Sequence, residues 1–133
     1  MPHVTLLIAA LHVLMLLALL VPISRHRHRH RIGLGDGGDP VLLRKIRVHA
    51  NFIEYVPLAL LMLALLELGG VRQPLLWLFG STLLLSRVMH AIGFSRREGY
   101  SFGRFWGTAI TWGVLLAMAL TGLWLSVRLL LAG

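Results

Sequence analysis

Arg47, Asn51, Glu54 and Tyr55 stand at i, i+4, i+7 and i+8 within the run RVHANFIEYVP, so a helix would line all four along one face. A guanidinium forks onto carboxylates, and a carboxylate receives an ammonium. The face therefore suits a small ligand that carries both kinds of group. The residues that follow are almost wholly apolar, and Glu54 lies about 10 Å further along the helix than Arg47. Ionisable groups at membrane depth are costly unless they face protein, water or a ligand, so the stripe is read first as a binding face.

Two more stretches carry polar residues at helical spacing. Arg87, His90 and Phe94 fall at i, i+3 and i+7; Arg87 offers a partner for Glu54 or a hold on an anionic ligand, and His90 beside it either lines the same site or serves as a hydrogen-bonded core histidine. Arg104, Thr108 and Thr111 repeat the pattern, with Trp112 next to them. Threonines commonly bond back to their own helix, and an arginine at a span end commonly anchors at the interface, so this third stripe gains weight only from convergence with the others. Together they outline a basic pocket of Arg47, Arg87 and Arg104 with Asn51, His90 and the acid Glu54. A cationic, partly dry pocket of this kind raises the thiolate fraction of a bound thiol. The chain has no cysteine, which excludes disulfides, a thiol nucleophile and thiolate metal sites, so any thiol must arrive with a substrate.

Positioning these residues is the work of apolar helices. Of 133 residues, 57% are hydrophobic and 14% charged, with a formal charge of +8. That composition belongs to a membrane protein. The arginines sit between apolar stretches, as membrane loops do, which argues against nucleic acid as the partner. The pattern predicts an all-α integral membrane protein, a bundle of four transmembrane helices in a single domain over residues 1–133. The spans fall at about 4–23, 41–68, 74–93 and 104–131. The first is about 30 Å long as a helix, the thickness of the hydrocarbon core, and lacks the basic start and cleavage pattern of a signal peptide. Pro74 suits a first helical turn, and the short link at 69–73 makes the second and third helices antiparallel neighbours. Gly113 and Ala117 permit close helix contact.

The link at 24–40 holds RHRHRHR and then GLGDGGDP, which predicts an irregular, mobile, basic loop facing lipid headgroups. Extended, it would present His26, His28 and His30 together, but no carboxylate or cysteine accompanies them and the flanking arginines repel a cation, so no metal is expected there. His12, inside the first span, is expected to be hydrogen-bonded within the bundle. Arginine and lysine concentrate in 24–47 and in the link at 95–103, whereas Arg72 stands alone in the second link. The positive-inside rule then puts links 24–40 and 95–103 in the cytosol and both termini outside.

The motifs RVHANFIEYVP at 47–57, RVMHAIGF at 87–94 and GRFWGTAIT at 103–111, set in four spans with a basic first loop, resemble the MAPEG family, the membrane-associated proteins in eicosanoid and glutathione metabolism. The resemblance covers nearly the whole chain and is most specific in its R-x-x-x-N-x-x-E element. It implies a homotrimer in a bacterial inner membrane, with glutathione as co-substrate bound between neighbouring subunits and a lipophilic second substrate entering from the bilayer lipid. By match of motif, Arg47, Asn51, Glu54 and Tyr55 would hold glutathione from one subunit, and Arg87, His90 and Arg104 would complete the pocket from the next, with Arg104 the catalytic cation that stabilises the thiolate. Phe94 stands where the eicosanoid branches tend to have tyrosine, and Phe105 where the prostaglandin enzyme has serine. Those departures point away from eicosanoid reactions and towards conjugation of lipophilic electrophiles or reduction of lipid hydroperoxides, in the manner of the compact prokaryotic branch. The competing readings are a glutathione- or lipid-binding module without catalysis and a small four-span exporter. The exporter would need its carboxylate in the first span, which has only His12; haem between His49 and His90 fails because His49 lies off the polar stripe.

Overall fold

A computed structural model describes residues 1–96 and 101–132, with the side chains of 94–96 excepted; the expectations resting on the Phe94 side chain and on Arg96, Arg97 and Glu98 lie outside the described residues. Four helices run in order: α1 (His3–His30), α2 (Pro40–Leu68), α3 (Gln73–Arg96) and α4 (Phe102–Ala132). All four are long and apolar enough to cross a membrane. Each turns one face inward at the helical period, with α2 burying Leu42, Val48, Phe52, Val56, Ala59, Leu63 and Leu66. Large side chains such as Leu14, Leu58, Leu85 and Leu116 stay exposed on the outer faces, as lipid-facing residues must. The helices α2 and α3 lie between α1 and α4, which do not touch one another among the described residues.

The helix ends are fixed by local chemistry. Asp39 caps α2, accepting from the Val41 and Leu42 amides at 2.7 and 3.1 Å, and Pro40 supplies a first turn that needs no amide hydrogen. At the other end Gly70 takes a left-handed conformation, and the Val71 amide closes on the Leu66 carbonyl at 3.0 Å. The start of α1 is capped from far along the chain: the Glu67 carboxylate accepts from the Val4 amide at 2.9 Å and from the Thr5 amide and hydroxyl, both at 2.7 Å. The start of α1 and the later part of α4 thus lie at the end of the bundle that carries the Gly69–Arg72 turn, since a Cβ on Gly69 would meet Leu125 of α4 at 2.6 Å. The opposite end carries the basic loop.

The first link differs from its expected form. The helix α1 does not end near Ile23 but carries RHRHRHR to His30, where Arg31 turns left-handed and the Ile32 amide closes on the Arg27 carbonyl at 3.0 Å. Once a helix is propagating, each added residue gains a backbone bond without a new nucleation cost, so alternating arginines and histidines continue it. Only residues 31–39 connect α1 to α2.

Near the termini the core is apolar, built from Val4, Ile8, Leu63, Leu76, Phe79 and Met118 among others. Towards the basic end it becomes polar.

Candidate functional site

Seven positions singled out from the sequence separate into two sets. The stripe on α2 spans about 100° of the helix circumference, and the buried face divides it. Asn51 and Tyr55 lie half-buried beside α3, while Arg47 and Glu54 turn to the exposed side. Glu54 is the central residue of a 29-residue helix that is long and apolar enough to cross a membrane, and it makes no ion pair among the described residues.

The inner set is knit across three helices. Arg87 is 1% exposed; its Nη2 donates to the Asn51 Oδ1 at 2.6 Å and its Nη1 to the Thr111 Oγ1 at 3.4 Å. The Tyr55 ring lies 5.8 Å from its guanidinium carbon. The Nδ1 of His90, 3.4 Å from the same Nη2, can only accept from an arginine, which puts the ring proton on Nε2. Ser86 meets Thr111 at 2.9 Å. All these partners are neutral. The Arg87 Nε is buried without one among the described residues, and the pairing with Glu54 that spacing allowed does not form. Glu54 faces outward while Arg87 is held inward by an amide and a hydroxyl.

Arg104 is on the outer set, exposed near the start of α4 yet within electrostatic reach of His90. Glycines hold these two residues at that separation. A Cβ on Gly107 would lie 2.7 Å from the His90 Cβ, and one on Gly93 would lie 2.5 Å from the Arg104 amide nitrogen, so α3 and α4 touch backbone to backbone. Sequence reasoning missed this contact; Gly113, read as permitting close helix contact, has nothing within 4 Å inside its own chain. The signal was present as small residues four apart, Gly103 and Gly107, inside the third motif. Thr108 and Thr111 bond back to the Arg104 and Gly107 carbonyls at 3.0 and 2.7 Å, as threonines in helices do. A surface cavity of about 620 Å³ runs along α4 past Arg104, Phe105, Thr108 and Trp112. His12 bonds its own helix, Nδ1 to the Ile8 carbonyl at 2.8 Å, rather than a neighbouring one, and its Nε2 is buried without a partner among the described residues.

One chain therefore brings together Asn51, Tyr55, Arg87 and His90 and leaves Arg47, Glu54 and Arg104 on its outer surface. Arg87 and Asn51, which the motif resemblance assigned to neighbouring subunits, share a hydrogen bond within one chain. The outer set can bind carboxylates through its arginines and an ammonium through its acid, provided something covers the exposed faces.

The residues that carry this geometry fall within a match to the MAPEG family model over residues 5–124. Two curated relatives, both called inner membrane protein YecN and found in Escherichia coli strains K12 and O6:H1 CFT073, are each 36% identical over 121 residues, covering 91% of this chain and 91% of theirs.

Proposed function

Because the chain belongs to the MAPEG family, we propose that this integral membrane protein is a glutathione-dependent enzyme of the bacterial inner membrane, acting as a homotrimer. Glutathione lies between the α2 face of one copy and the α4 face of the next, open to the cytosol. One observation carries the reading: Glu54, at the midpoint of a membrane span, faces out of the chain with no cation on it among the described residues, about two turns from Arg47. A carboxylate so placed needs an ammonium or protein cover, and glutathione supplies the ammonium together with carboxylates for the arginines.

The roles follow from placement. Glu54 takes the ligand's ammonium and Arg47 a carboxylate. Asn51, oriented by the Arg87 guanidinium behind it, Tyr55 and His90 line the floor. Arg104 stabilises the thiolate by charge, which needs no hydroxyl beside it. With an aryl halide the sulfur forms a carbon–sulfur bond and the halide leaves with its electron pair. With a hydroperoxide the thiolate takes the terminal oxygen, the alkoxide departs and is protonated, and a second glutathione yields the disulfide and water. A lipophilic acceptor is concentrated by the bilayer, and holding it beside the thiolate supplies much of the rate.

Calorimetric titration of glutathione into the detergent-solubilised protein tests the binding, and turnover of a generic aryl halide or cumene hydroperoxide tests the chemistry. Binding should weaken at least tenfold in Glu54→Gln and in Arg47→Ala, the loss of a charge-assisted hydrogen bond of about 1.5–3 kcal/mol. Unchanged affinity in both variants would overturn the site. Binding without turnover of either substrate would overturn the enzymatic part and leave a glutathione-holding membrane module.

A further inference from the structure

At the basic end, the helical continuation of α1 does something an extended loop would not. His26 and His30 are four apart and so share one face of the helix, their rings stacked with centroids 4.3 Å apart, while His28 falls on another side. The short connection then returns the chain so that Asp39, the cap of α2, comes to the same spot. Its Oδ2 lies 2.6 Å from the His26 Nε2, and its Oδ1 is occupied by the Val41 and Leu42 amides. The carboxylate that the sequence reading found lacking is supplied by the fold. One ligand-competent atom from each of His26, His30 and Asp39 lies within 4.8 Å of the others.

We infer that His26, His30 and Asp39 form a binding site for a divalent transition-metal ion of the zinc class, clipping the end of α1 to the start of α2. Two imidazoles and a carboxylate, with water in the remaining position, are an established donor set for zinc, and imidazole prefers such ions to magnesium or calcium. The supporting contacts fit the assignment. The His30 Nδ1 lies 3.0 Å from the His26 carbonyl; a carbonyl only accepts, so the ring proton is on Nδ1 and Nε2 presents its lone pair. Asp39 is held in orientation by the two amides it caps. Ligands of one zinc ion stand about 3.4 Å apart, so the His26 Nε2 and the Asp39 Oδ2, 2.6 Å apart while they share a proton, have to separate and the exposed His30 ring has to swing towards them.

One group opposes the ion. The Lys45 Nζ lies 3.1 Å from the His26 Nδ1 and can only donate, so His26 keeps its proton on Nε2 and gives it to Asp39. When metal takes Nε2, that proton moves to Nδ1 and the ammonium must swing away. The exposed arginines around the site add repulsion that water and salt screen beyond about 8 Å. Lys45 is therefore the gate on affinity, and its removal should tighten binding.

Tag-free protein in detergent, titrated with Zn²⁺ by calorimetry and with Co²⁺ by visible absorption, tests the site. One ion per chain is expected, with affinity reduced at least about tenfold in His30→Ala and in Asp39→Asn, the latter keeping a good helix cap. His28→Ala should leave affinity within about twofold, and Lys45→Met should raise it. Equal losses in His28→Ala and His30→Ala would show a non-specific histidine tract. No loss in Asp39→Asn, or no binding at submillimolar metal, would likewise overturn the assignment.

Discussion

The half of the bundle near the chain termini and the half near the basic loop use the same helices and the same inward period, yet they are filled differently. Around Leu63, Leu76, Phe79 and Met118 the interior is apolar and closed. One turn or two beyond, the same faces of α3 and α4 present Ser86, Arg87, His90 and Thr111. The apolar half leaves little unmet: even its one acid, Glu67, is taken up by three donors at the start of α1. In the polar half the scaffold keeps opposite charges apart. Arg87 is turned inward onto neutral acceptors and Glu54 outward onto no cation among the described residues, though pairing them would lower the cost of taking either out of water. The difference teaches that the same inward helical period serves a closed apolar core in one half and a buried polar cluster in the other.

Four substitutions break or sharpen that contrast. The largest effect is expected from Gly107→Val, where a side chain would be driven into the His90 backbone; stability in a denaturant titration should fall by about 3 kcal/mol or more, and glutathione binding should be lost with it. Leu63→Ala, in the closed half, should cost about 2–3 kcal/mol by the same titration while leaving the affinity of the folded protein for glutathione unchanged. Arg87→Met should do the reverse. Removing a buried charge that has no counter-ion leaves thermal stability level or raised, while glutathione affinity drops at least about tenfold because Asn51 loses its orienting partner. A large fall in melting temperature for Arg87→Met would erase the distinction between the halves. The smallest change is Glu67→Gln, which puts an amide donor against the donors at the start of α1 and should cost about 1 kcal/mol, with binding untouched.

Four helices long and apolar enough to cross a membrane were legible from hydropathy, and so was the placing of Arg87 and His90 on one face of α3 from their three-residue spacing. The motif resemblance was legible too, and it holds over residues 5–124. What was not legible came from contacts between residues distant in sequence or from helix ends. Glu67 finds its partners more than sixty positions away, so nothing near it announces a cap. The end of α1 rests on Arg31 in a left-handed conformation, a stop that glycine usually signals, and alternating RHRHRHR read as an extended loop. Asp39 looked remote from the histidines until the helix and its short return brought it back. The stripe on α2 was correctly placed on one side of a helix, but a 100° arc is wide enough for the core boundary to cut it, which no periodicity argument resolves.

The most direct measurement is complementation between two variants expected to bind glutathione weakly, Glu54→Gln and Arg104→Ala (whose charge also attracts the ligand's anionic groups), co-assembled in equal amounts and titrated with glutathione at a concentration that only intact sites bind. If the ligand sits between α2 of one copy and α4 of the next, a randomly mixed ring regains about a quarter of its sites, those that join an intact Glu54 to an intact Arg104. If each chain builds its site alone, no mixture recovers binding, and the reading of the outward faces as two halves of one pocket is contradicted.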